Sequence, residues 1–257
     1  IDAPISAAYL YWNEEELHTN FAISAGGEEL LLTNPEGVRM DELTPTPIPT
    51  DRSYGRVPDG AGEWLYFHEA TPGRPNTTPG YPETLDPPAF SVAGRPYSSA
   101  FQLTLSHPDA DAAIYYSVDG RMPRDEAEFR YTGPISINRT VIVHAVAYRP
   151  GATPSAIRTE LYSRVGSAVS SFSSNLPILV LHQFDTPITP GERTPAYLSV
   201  LETGDDGRTY LDGPAALTGR TLSNIRGNTS QGVPKKMFGF HLVNENGSNR
   251  NESLLGM

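Results

Sequence analysis

The sequence predicts a mostly β chain of β-sandwich modules in series. Three observations carry this expectation. The apolar stretches are short and rich in β-branched or aromatic residues, while helix signals are scarce. Turn chemistry recurs between them, with 24 Pro and 23 Gly spread along the chain rather than clustered. The length of 257 residues exceeds the roughly 100–200 of one domain, so two or three domains are expected.

In chain order, Tyr9-Leu10-Tyr11-Trp12 and Glu29-Leu30-Leu31-Leu32 are short apolar strand candidates. Asn34-Pro35-Glu36-Gly37 and Pro58-Asp59-Gly60 supply turns, and the stretch from Thr71 to Gly80 reads as a linker. Ala113–Val118 and Val141–Val146 are further strands, with Asp119-Gly120 turning the chain after the first. Val141, Val143 and Ala145 alternate with Ile142, His144 and Val146, so this strand is expected to be buried strongly. A Ser-rich stretch, Ser167 to Ser174, precedes Leu176–Leu181, a buried-strand candidate, and Asp205-Asp206-Gly207 marks another turn. The boundaries expected are 1–78, 86–162 and 176–257. The segments differ in sequence, so no repeat array is expected.

Composition narrows the function classes. The chain has no Cys, which excludes disulfides and thiolate metal sites. No apolar run approaches the roughly 20 residues of a membrane-spanning helix. The net charge is −11, and residues 1–80 hold 13 acids against 4 Arg. Such a surface repels phosphate backbones, so nucleic acid is not an expected partner. Lys235 and Lys236 are the only lysines and are adjacent. The first residue is Ile1 rather than Met, which is read as a processed, engineered or truncated start. Asn76, Asn138, Asn228, Asn246 and Asn251 begin Asn-x-Ser/Thr sequons, expected to be unmodified in a bacterial protein.

Two stretches of the first segment carry a resemblance: Glu16 to Glu28, and Ser53-Tyr54-Gly55-Arg56-Val57-Pro58-Asp59-Gly60 followed by Trp64 and Thr71-Pro72-Gly73-Arg74-Pro75-Asn76. Together they resemble the second half of bacterial lamin-tail domains, which are immunoglobulin-like sandwiches. The resemblance implies that the family's opening strands are missing before Tyr9. That leaves an open edge, fitting either a cut chain or strands supplied by another chain, including self-assembly. His18 and Asn20 beside Phe21 are read as a side-chain-bonded turn, and Trp64 and Tyr66 as packing aromatics.

In the second segment, Ile114–Pro123, Tyr131-Thr132-Gly133-Pro134-Ile135 and Thr140–Ala145 are similar to the C-terminal β-sandwich of chitobiases and β-hexosaminidases. Arg121-Met122-Pro123 stands where that family usually has Ser/Thr-x-Pro. The resemblance implies an accessory role, with polysaccharide as a possible partner. Tyr97, Tyr116 and Tyr148 are the candidate aromatic platform for a sugar. His144 is read as a satisfied buried residue. Asp109, Asp111 and Asp119 lack the spacing of a twelve-residue calcium loop and are read as surface loops.

In the third segment, Ile225-Arg226-Gly227-Asn228-Thr229-Ser230-Gln231-Gly232-Val233-Pro234-Lys235-Lys236-Met237-Phe238 resembles the N-terminal part of the CotH-type secreted kinases, a resemblance that implies a partial α+β region here after the immunoglobulin-like sandwiches. Arg226, Asn228, Lys235 and Lys236 are the candidate phosphate contacts. For this chain the favoured reading of the residues is a strand clamp, with Arg226 and Asn228 bonding across a turn. The family's metal-binding and catalytic acids are expected beyond Met257. No cofactor is therefore expected in this chain, while ATP and a divalent metal would serve an intact parent.

The expected function is a non-catalytic scaffold or interaction segment of a large exported, multidomain bacterial protein at the cell surface. Its partners would be other chains or the parent's remaining domains. The alternatives are the front of a CotH-type kinase and a carbohydrate-binding accessory module.

Overall fold

The computed structural model describes residues 10–12, 17–19, 23–24, 26–49, 52–184, 186–227, 234–244, 247 and 249–253. Contacts divide the chain into two compact units, 1–82 and 83–257.

The first unit holds β1 (Leu10–Trp12), β2 (Leu17–Thr19), β3 (Leu30–Thr33), β4 (Arg39–Leu43), β5 (Ser53–Val57), β6 (Glu63–Phe67) and β7 (Gly80–Tyr81). They form two hairpins, β1-β2 and β3-β4, and a sheet of order β5-β6-β7. The side chains of His18, Asn20 and Phe21 lie outside the described residues. The predicted turns sit where expected. Asn34 closes the β3-β4 turn by accepting the N–H groups of Glu36 and Val38, and Gly37 there has φ +79°. The β3-β4 hairpin presents its apolar side chains to solvent, with Leu31 54% and Leu32 63% exposed.

The stretch read as a linker is tied down instead. Asn76 donates through Nδ2 to the Arg56 carbonyl at 2.9 Å, and its N–H reaches Asp59 Oδ1 at 3.1 Å. Thr71 donates to Asn76 Oδ1 at 3.0 Å. A side chain at Gly55 would collide with Asn76 Nδ2, and one at Gly80 with the ring of buried Phe67. The Pro/Gly composition that suggests a free linker thus reflects close backbone approach.

The second unit begins with β8 (Ala89–Phe90), β9 (Arg95–Tyr97), β10 (Phe101–Leu103), β11 (Leu105–Ser106), β12 (Ala113–Ser117), β13 (Ile135–Ile137), β14 (Val141–Tyr148) and β15 (Arg158–Arg164). It continues with β16 (Ser173–Ser174), β17 (Ile178–Gln183), β18 (Thr194–Leu201), β19 (Thr209–Tyr210), β20 (Leu217–Arg226) and β21 (Met237–Val243). One layer of a sandwich is the sheet β12-β14-β15-β9, in which β9 joins β15 in parallel. The facing layer is made of the pairs β10-β13 and β8-β11. Leu103, Leu105, Ile135 and Ile137 from this layer meet Val143, Ala145, Tyr97 and Tyr162 in one apolar core.

A meander, β17-β18-β20-β21, follows. Its strand β20 packs against β15, and Tyr197 of β18 donates its hydroxyl to the Thr159 carbonyl at 3.3 Å. Both faces of the sandwich's four-stranded sheet are therefore covered. The α+β expectation for residues 176–257 is not supported: their described strands form antiparallel sheet. Among the described residues the helical element is a single 3-10 turn, Ala127–Phe129. Of the predicted stretch, residues 178–181 fall in β17, but this strand lies at the sheet edge, where Leu179 is 44% exposed. Burial in this sheet falls on β18 instead, because β18 lies between β17 and β20.

One buried carboxylate ties β15 to the chain before β9. Glu160 accepts the Gly94 N–H at 2.7 Å through Oε2 and both Arg158 Nε and an Arg158 terminal nitrogen through Oε1. A Cβ at Gly94 would lie 2.6 Å from that Oε2. Glu160→Ala leaves a buried N–H unpartnered and should cost about 1–3 kcal/mol. Leu103→Ala, at a site 0% exposed, should cost about 2–5 kcal/mol. Urea titration of the two variants against the parent chain checks both values.

Candidate functional site

The three candidate platform tyrosines are not brought together. Tyr97 is 4% exposed, packs edge-on against Phe101 at 5.3 Å, and belongs to the sandwich core. Tyr116 faces the same core, edge-on to Tyr131 at 5.9 Å. Tyr148 lies on the opposite face of the sheet, packed with Tyr115 and Phe129. Strand alternation puts Tyr116 and Tyr148 on opposite faces: Tyr116 pairs with Ala145 and Tyr148 with Ala113. No common surface carries the three rings, so they do not form a stacking platform.

His144 is 4% exposed and shares a 2.8 Å hydrogen bond with the Thr159 hydroxyl through Nδ1. Asp109 meets Arg149 at 3.0 Å and caps its own turn by accepting the Asp111 N–H. Asp119 accepts from Arg121 Nε at 2.8 Å, which holds its carboxyl below the usual carboxylate range. Arg121 also lies 4.8 Å over the Phe129 ring and 3.2 Å from Glu128. The residue that departs from the family pattern thus ties the Gly120 turn, with φ +84°, to the 3-10 turn. Among the described residues no group of three or more His, Asp or Glu is placed to hold a metal ion.

The third segment's cations do converge. Arg226 pairs with Met237 across β20-β21, which brings Arg226, Lys235 and Lys236 to one end of that hairpin. Arg226 and Lys235 are exposed and Lys236 is half-buried. The stem of Arg226 lies across Gly239, where a Cβ would meet its Cδ at 2.7 Å. Asn228 lies outside the described residues. Lys236 directly precedes β21.

In the first unit, Trp64 and Tyr66 pack as expected from their aromatic character. Tyr54 stacks on Trp64 at 5.4 Å and contacts Tyr66 at 4.6 Å, while Arg56 lies 4.6 Å over Trp64. Arg56 also meets Asp41 at 2.7 Å and donates to the Gly62 carbonyl.

A hollow of the sandwich involves residues that the sequence did not single out for binding. It measures about 760 Å³ and is lined by Ser98, Ser99, Arg139, Thr140, Arg164 and the chain just after β15. Three elements build it. Tyr97 pairs with Arg164 across the parallel β9-β15 ladder, and the Val165 N–H donates to the Tyr97 carbonyl at 2.8 Å. The Tyr97 hydroxyl donates to the Arg139 carbonyl at 2.8 Å and so anchors the β13-β14 turn. The Arg164 N–H donates to Thr140 Oγ1, and its guanidinium to the Asn138 carbonyl at 2.7 Å. Burial pushes the Tyr97 hydroxyl above the ordinary phenol range, opposed by the charges of Arg164 and Arg139. Tyr97 therefore positions the hollow rather than lining a platform. The local signal for it, Asn138-Arg139-Thr140, reads on its own only as a sequon.

The Asp41–Arg56 pair yields a pH prediction. Its hydrogen bond to Arg56 lowers the Asp41 carboxyl below its unfolded value of about 3.9. The contribution is present above that unfolded value and is lost as pH falls through the lower folded value. Asp41→Asn should therefore flatten the acid-side decline in the first unit's melting temperature, measured between about pH 2 and pH 5.

Residues 92–159 match the family described as the Chitobiase/beta-hexosaminidase C-terminal domain. No curated protein matches the chain. The second unit therefore carries a β-sandwich module similar to the C-terminal domain of chitobiases and β-hexosaminidases, extended by a four-stranded antiparallel sheet.

Proposed function

We propose that this chain is a non-catalytic accessory segment of a larger exported bacterial protein, and that its sandwich holds a carbohydrate for that parent. The single observation that carries the reading is the match over residues 92–159 to a module associated by name with chitin- and hexosamine-degrading enzymes. The packing supports a binding role over a catalytic one. The sandwich interior is filled by apolar side chains such as Leu103, Val143 and Ile137. Polar groups gather instead in the open hollow at one end of the sandwich. An accessory module raises the local concentration of a tethered partner near its ligand and needs no reactive group. The exported setting is part of the same proposal. No helix among the described residues is long and apolar enough to cross a membrane.

A glycan array probed with the intact chain, followed by calorimetric titration of the best hit, tests the proposal. Saturable binding without cleavage of the glycan is the expected outcome. Hydrolysis of the glycan, or transfer of phosphate from ATP with magnesium to a protein acceptor, would overturn the non-catalytic reading. The second assay probes the Arg226–Lys236 hairpin end directly.

A further inference from the structure

The hollow lined by Arg139 and Arg164 is cationic within an acidic chain. The chain carries a net charge of −11, yet none of the residues lining this hollow is a carboxylate. Several other guanidinium groups meet acids: Arg56 meets Asp41, Arg121 meets Asp119, Arg149 meets Asp109 and Arg158 meets Glu160. Among the described residues the Arg139 guanidinium makes no such contact. That of Arg164 donates one N–H to the Asn138 carbonyl, a neutral acceptor, leaving its remaining donors available.

The two arginines are held near one another by the backbone. The Arg164 N–H bonds Thr140, and the Arg164 guanidinium reaches Asn138, the residues on either side of Arg139. Around them stand the hydroxyl-bearing residues Ser98, Ser99, Ser167 and Thr140. Beyond Ser98 and Ser99 a second hollow, of about 340 Å³, includes Arg95 and Asp212. Arg95 Nε is buried there without a hydrogen-bond partner. A guanidinium fork matches the two oxygens of a carboxylate or sulfate, and hydroxyls match a polyol. A volume of about 760 Å³ suits a short oligosaccharide rather than a bare ion.

We propose that the Arg139–Arg164 hollow binds an acidic saccharide, taking its carboxylate or sulfate on the two arginines and its hydroxyls on the surrounding serines. This rests on the carbohydrate-directed function above and names the ligand class for it. Tyr97 is a positioning residue in this site, acting through the Arg139 carbonyl.

The test uses the intact chain made in a bacterial host, so that the Asn138 sequon stays unmodified. Four probes are titrated by calorimetry: trigalacturonate for carboxylate, a carrageenan tetrasaccharide for sulfate, chitotriose as a neutral sugar, and inorganic sulfate alone. Binding of one or both acidic sugars is expected, weakening as salt rises from about 0.01 M to about 0.15 M. Which of the two binds identifies the anionic group. Arg139→Gln should weaken it by at least about tenfold with an unchanged melting temperature, because that side chain supports no described contact. Arg164→Gln should weaken it at least as much, but its loss of the Asn138 contact makes Arg139→Gln the decisive variant. Acidic-sugar binding that survives Arg139→Gln overturns the site. Binding of chitotriose alone overturns the acidic class and leaves the carbohydrate reading standing, whereas no sugar binding at all overturns both. Inorganic sulfate binding as tightly as the sugars reduces the hollow to a simple anion site and overturns the saccharide.

Discussion

Strand β14 is buried on both of its faces, and the second unit is organised around meeting that condition. On one face Val143, Ala145 and Ala147 are each 0% exposed, within or beside the sandwich core. On the other, Val146 packs against Tyr115 and Phe129, and His144 is sealed in with Thr159. A strand with two apolar faces needs two covering layers. The first is the β8-β11 and β10-β13 layer, which a sandwich supplies. The second is the 3-10 turn beside Tyr115, while the meander covers neighbouring β15 through β20 and Tyr197. This explains why the meander and the sandwich fall in one compact unit despite the Ser-rich stretch between them.

Polar side chains then fix the edges of these layers. Glu160 would be costly as a lone buried charge, and it is compensated by Arg158 and the Gly94 N–H. Tyr162 sends its hydroxyl to the Val92 carbonyl at 2.5 Å, and burial raises that hydroxyl well above the ordinary phenol range. Tyr97 does the same work at the other end by holding the Arg139 turn. Each of these groups is a buried donor or acceptor satisfied by backbone, as a tightly packed core requires. At the Arg139 end the Tyr97 hydroxyl takes the Arg139 carbonyl and the Arg164 guanidinium takes the Asn138 carbonyl, while the Arg139 side chain stays exposed beside the hollow.

The first unit solves a related problem with less apolar material. Its sheet β5-β6-β7 is held by an aromatic row, Tyr54, Trp64 and Tyr66, with Arg56 laid over Trp64. Cation–ring and ring–ring contacts of this kind add to area burial. Asn76 then stitches the following segment back to β5. The β3-β4 hairpin keeps Leu31 and Leu32 exposed.

Much of the local structure was legible in the residues alone. The short strands at 30–33, 113–117 and 141–148, and the turns at Gly37, Gly60, Gly120 and Gly207, follow from β-branched runs and from residues that tolerate positive φ. The chitobiase-type module was legible too, because its strand and turn residues are contiguous in sequence. What the sequence could not determine is what depends on pairing between distant strands. Alternation along β12 and β14 assigns residues to faces but does not say which face of an aromatic is covered, so Tyr97 and Tyr116 went to the core and Tyr148 to the opposite face. Leu176–Leu181 reads as buried from its apolarity, yet its place at the sheet edge left it half-covered. Arg139 and Arg164 are neighbours because β14 pairs antiparallel with β15, with Val141 opposite Tyr162, and because the Arg164 N–H bonds Thr140, so the charged hollow exists only in the tertiary structure.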